Sequence, residues 1–124
     1  MITNKSINIK SDPITWQQNA RAKIMDVIRN KDQVTYKSLA VTANITGPHK
    51  IHRLTLWLEQ LMAEDHQSGR PLRAAVVVSK ARGGLPAPGF FDKAKELGLD
   101  FETTDRRTSY NIYLQKVYAS ISVL

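Results

Sequence analysis

Val34-Thr35-Tyr36-Lys37-Ser38-Leu39-Ala40, then Asn44-Ile45-Thr46-Gly47-Pro48, then His49-Lys50-Ile51-His52-Arg53-Leu54: the reading of this run decides the fold. Thr35 is a natural side-chain cap for a short helix, in which Tyr36, Leu39, Ala40 and Ala43 recur at helical spacing and face inward. Asn44 and Gly47 tolerate the backbone of a tight turn, and Pro48 suits the first turn of the next helix. There Ile51, Leu54, Leu58, Leu61 and Met62 form one apolar stripe, which predicts a helix over 48–66 stopped by Ser68-Gly69. A short helix, a turn and a second helix opening on basic and hydrogen-bonding side chains is how a helix-turn-helix meets DNA.

Upstream, Asp12 reads as an N-cap and Pro13 as the first position of a helix over 13–30. Trp16, Ala20, Ile24, Val27 and Ile28 share its inner face, while Gln17, Arg21, Lys23 and Arg29 share the outer one. Residues 1–11 read as a flexible arm or a short edge strand. Downstream, Pro71 to Lys80 carries three successive valines beside alanines, which predicts a largely buried strand. The glycines and prolines of 81–89 require a turn or ordered loop, anchored at its far end by Phe90 and Phe91. A short helix over 91–98, a polar link over 103–108 and a last helix with Tyr110, Tyr113, Leu114, Val117, Tyr118 and Ile121 on one face complete the chain. The expected architecture is α+β: a mainly helical, winged-helix-like domain over 12–124 with a short β-element and a C-terminal helical extension.

With 124 residues, 42% of them hydrophobic, the chain can cover one core but hardly two. Its 18 Lys and Arg outnumber 11 Asp and Glu, giving a formal charge of +7 and a pI near 9.9. Such a surplus on a small body concentrates polyanions around it, so nucleic acid is the expected partner. The absence of cysteine excludes disulfides, thiolate nucleophiles and zinc ribbons. The first residues lack the apolar stretch and cleavage site of a secretory signal, and no run approaches membrane-spanning length, so a cytoplasmic protein is expected. No cofactor is implied.

On a helical wheel at about 100° per residue, His49, His52, Arg53, Leu56 and Gln60 point away from the apolar stripe, and Lys50 joins them as a candidate nucleic-acid contact at the helix start. Arg can bond guanine through two acceptors, Gln can bond adenine, His can donate to base or phosphate, and an exposed Leu can touch a thymine methyl. Arg70, Arg73, Lys80 and Arg82 bracket the valine run with no acidic residue among them, as a wing reaching phosphate or a minor groove would.

At these residues a resemblance can be named. Val34-Thr35-Tyr36-x-x-Leu39-Ala40 with Ile45-x-Gly47 resembles the winged-helix module of alkyltransferase-like DNA-repair proteins and many transcription regulators, over about residues 13 to 82. The resemblance implies binding of double-stranded DNA by a regulator or accessory protein. In the alkyltransferase family a Pro-Cys-His-Arg segment carries the methyl-accepting cysteine. Pro48-His49-Lys50-Ile51-His52-Arg53 shares only scattered letters with it and offers no thiol, so alkyl transfer to cysteine is excluded. The glycine–proline segment through Phe91 also resembles one in small bacterial proteins of unassigned activity.

Two other classes of function fit the same residues. A small metal-independent nuclease would use His49 or His52 as acid and base, with Arg53 or Lys50 stabilising phosphorane-like charge. With His66 or Glu59 the same histidines would make a metal site. A protein-binding adaptor, or a homodimer, would use Leu56 and Trp57 or the tyrosine-rich last helix. Glu64-Asp65, at the far end of a long helix, reads as a solvated pair.

Overall fold

The computed structural model describes residues 14–122. The expected arm over 1–11 and the Asp12-Pro13 start lie outside them. Helix α1 spans Trp16–Arg29, and its cap is Thr15. The Thr15 hydroxyl accepts from the Gln18 N–H at 3.1 Å, and the Gln18 side chain accepts from the Thr15 N–H at 2.8 Å. This reciprocal box satisfies two otherwise orphaned donors, so the helix starts at Trp16 rather than at 13. Ala20, Ile24, Val27 and Ile28 are buried, as their spacing predicted.

Strand β1 is only Val34–Thr35, because Thr35 also caps α2 (Tyr36–Thr42) by accepting from the Ser38 N–H at 3.1 Å. Helix α3 follows as Lys50–Gln67. Leu54, Leu58, Leu61 and Met62 are buried, but Ile51 is 44% exposed. Trp57 takes part in the core instead, edge-on to Trp16 with ring centroids 5.9 Å apart.

The strand expected over 71–80 shrinks to β2, Val77–Val78, paired in parallel with β1 in the register Val34 to Val77 and Thr35 to Val78. Arg73–Val76 winds instead into a 3-10 turn. A two-residue partner can pair with only two residues, and the Arg73 N–H is already taken by the Asp65 carboxylate at 3.0 Å. The burial expectation holds: Leu72 to Val78 is buried throughout, packed on α1 and α3.

Lys80–Arg82 forms a second 3-10 turn, after which Gly83 and Gly84 adopt positive φ of 67° and 83°. Ser79 bridges Leu85 across this turn, donating its N–H at 2.8 Å. Helix α4 spans Pro88–Glu96 and so begins earlier than 91, with Pro88 in its first turn. Helix α5 spans Arg106–Ser122, and Asp105 accepts from the Thr108 N–H and hydroxyl at its start.

The tyrosine face of α5 is turned into the molecule. Tyr110 donates to the Ala75 carbonyl at 2.7 Å and accepts from Gln33 at 2.8 Å. Tyr118 donates to the Asp32 carbonyl, and Tyr113 accepts the Leu72 N–H, each at 2.7 Å. The result is mainly helical, with five α-helices and one two-stranded parallel sheet among the described residues. No described helix is long and apolar enough to cross a membrane.

Candidate nucleic-acid interface

The turn between α2 and α3 is built by its own side chains. Asn44 and Gly47 take positive φ of 64° and 85°, the left-handed conformation that glycine and asparagine accept most readily. His49 also sits there, at φ 58°, as the N-cap of α3, and makes no side-chain capping bond. The N–H groups at the positive dipole end of this 18-residue helix therefore have no side-chain cap from His49, and Lys50 stands beside them.

His49, His52, Leu56 and Gln60 lie along one row of α3, and all are exposed. Lys50 is exposed beside them. Arg53 is the departure. Its guanidinium folds back onto the turn, donating to the Thr46 carbonyl at 2.6 Å and the Pro48 carbonyl at 3.4 Å. It also lies 5.9 Å from the centre of the Trp16 ring. Arg53 thus braces the turn that sets the angle of α3, a use its place on the wheel did not reveal.

The expected wing divides in two. Lys80 and Arg82 are exposed on the 3-10 turn, and the Arg107 side chain holds that turn by donating to the Gly83 carbonyl at 2.7 Å. Arg73 is instead buried, and here the sequence expectation is corrected. Its guanidinium meets Asp65 at 2.6 Å, and Asp65 is wholly buried rather than solvated. Arg70 adds a second contact to Asp65 at 2.6 Å. The neighbouring Glu64 is exposed and pairs with Arg21 at 2.9 Å. The Arg21 hydrogen bond is the main reason its carboxyl is held below the usual range. A buried carboxylate needs both charge and donors to offset its lost hydration, and Arg73 supplies them from the turn that follows the helix, eight residues on.

This cluster engages Arg21, Arg70 and Arg73. Lys37, Lys50, Lys80 and Arg82 have no ion pair among the described residues. Lys37 was not singled out from sequence; its place one residue into a capped short helix was the available signal. A cavity of about 370 Å³ connects the parts, lined by Lys37 on α2, Ile51 and Thr55 on α3, Val78 on β2 and Lys80 on the loop. The exposed start of α3 and the basic loop therefore share one side of the molecule. No group of three His, Cys, Asp or Glu residues among those described can hold a metal ion, so His49 and His52 gain no third ligand from His66 or Glu59.

No family model, curated protein or solved structure matches this chain.

Proposed function

We propose that this protein is a winged-helix-like binder of double-stranded DNA, acting as a regulator or accessory protein rather than as an enzyme. Helix α1 supports, α2 positions, and the start of α3 enters the groove. The observation that carries the reading is the shared cavity. It brings the first turns of α3, the α2 lysine and the Lys80 turn to one surface, which no acidic side chain lines. A groove-binding helix needs flanking phosphate contacts to hold its register, and Lys37, Lys50, Lys80 and Arg82 supply the charge. His52, Leu56 and Gln60 then offer base-edge contacts, with His49 and the uncapped N–H groups of α3 facing phosphate. The short Gly83-Gly84 turn makes a compact wing, suited to phosphate rather than to deep minor-groove insertion.

The test is fluorescence anisotropy with random-sequence duplex DNA over a salt series. Affinity should fall steeply with salt, at close to 0.9 counterions released per phosphate contact. Lys50→Gln and Lys80→Gln should each lower the slope by roughly one contact. No binding at low salt, or a flat salt response, overturns the proposal. Cleavage of the labelled duplex that vanishes in His49→Ala or His52→Ala would replace it with the nuclease reading.

A further inference from the structure

The cavity between α3 and the Lys80 turn has a chemistry of its own. Its lining is mostly apolar, with Tyr36, Ile51, Val78 and Ala87 among it, while Lys37 and Lys80 add two cations. Neither lysine has an ion pair among the described residues, and no carboxylate lines the space. The Tyr36 hydroxyl accepts the Ala87 N–H at 3.0 Å, and both residues line the cavity. The phenol proton itself meets no acceptor among the described residues. A half-buried donor without an acceptor, two cations and an apolar wall match a ligand with an apolar body and one oxyanion. A volume of about 370 Å³ suits a small molecule rather than a peptide.

We propose that this cavity binds a small aromatic or branched aliphatic monocarboxylate. The carboxylate meets Lys37, Lys80 and the Tyr36 hydroxyl, and the body lies on Ile51 and Val78. Because Lys37 and Lys80 belong to the surface assigned to DNA, an occupied cavity opposes DNA binding; this second part rests on the DNA reading, whereas the first does not. The ligand neutralises cations that would otherwise face phosphate and fills the space beside the first turns of α3. A regulator that releases its site when a carboxylate accumulates is the behaviour that follows.

The experiment titrates the full chain with naphthoate, with its neutral isostere naphthamide and with inorganic phosphate, following backbone amide chemical shifts without DNA. Naphthoate should saturate, with shifts centred on Tyr36, Ile51, Thr55 and Val78. Naphthamide should bind at least about fivefold more weakly, and phosphate should give no saturable shifts there. Lys80→Gln, at an exposed position that leaves the core intact, should remove most of the preference for the acid over the amide. Ile51→Trp should block both. Equal binding of acid and amide, saturation at other residues, or no saturation overturns the site.

Duplex anisotropy is then repeated with saturating naphthoate, which should weaken DNA binding at least about fivefold. Unchanged DNA affinity with the cavity occupied overturns the regulatory part. Failure of the chain to bind DNA at all removes the DNA reading, while the amide-shift titration still decides the site.

Discussion

Asp65 turns a surface cluster into part of the core. Its carboxylate receives the backbone N–H and guanidinium of Arg73 and the Nε–H of Arg70, at a side chain with no exposure. Removing one partner of such a pair leaves the other buried and uncompensated. Asp65→Ala should therefore cost about 3–5 kcal/mol, measured by urea unfolding. Glu64→Gln, on the exposed end of the same cluster, should cost less than about 1 kcal/mol. Equal losses would mean that burial does not separate the two. Glu64 also has a pH signature. Its folded carboxyl titrates below the unfolded one, so the stabilisation is complete above the ordinary value of 4.5 and is lost as pH falls through the lower folded value. In an acid titration the stability gap between the wild type and Glu64→Gln should be full above 4.5 and close as pH falls below it.

At the scale of elements, the turn between α2 and α3 carries the largest local consequences. Gly47 holds φ +85°, and a Cβ there would lie 3.7 Å from the Arg53 guanidinium, so the obstacle to a side chain is conformation rather than space. Gly47→Ala should cost about 1–2 kcal/mol. His49 occupies the same region without a capping bond, so His49→Gly should leave thermal stability equal or higher while lowering affinity for duplex DNA. A loss of stability in that variant would mean that the imidazole holds the helix start. Arg53→Ala should lower stability as well as DNA affinity, because the Thr46 carbonyl loses its charged donor. On the other element of the site, Arg82→Ala should weaken all duplex sequences alike and leave the melting temperature nearly unchanged, since Arg82 is exposed.

Across the whole molecule, the tyrosines tie α5 to the rest. Tyr36, Tyr110, Tyr113 and Tyr118 all have phenols raised above 10.0, in each case first by burial. A group whose folded value is raised gives stability that is complete below the unfolded value. As pH climbs past 10.0 the unfolded chain releases these protons first, and stability falls. Alkaline unfolding followed by circular dichroism should coincide with a cooperative rise in tyrosinate absorbance. Tyrosinate appearing near 10.0 while the fold persists would refute the burial assignment. Tyr110→Phe should lose the bonds to Ala75 and Gln33, at about 1–3 kcal/mol for the acceptor left buried.

Sequence periodicity determined the inner faces of α1, α2 and α5 and, apart from Ile51 and Trp57, that of α3, because an amphipathic helix declares its buried side through spacing. Thr35 as a cap, Gly47 in the turn and the burial of the valine run were legible for the same reason: each depends on nearby residues or on composition. The site was legible only as a stretch of chain. That His49, His52 and Gln60 would be exposed follows from the wheel; that Arg53 would brace the turn does not. The extent of the strand, the burial of Asp65 and the withdrawal of Arg73 from the surface were decided by tertiary structure. Strand length needs a partner, and the partner lies 43 positions upstream in the register Val34 to Val77. A charge turns inward only where another chain segment supplies its donors, and a helical repeat contains no information about that segment. The same holds for the cavity, whose walls come from helices, strands and a turn that meet only after folding.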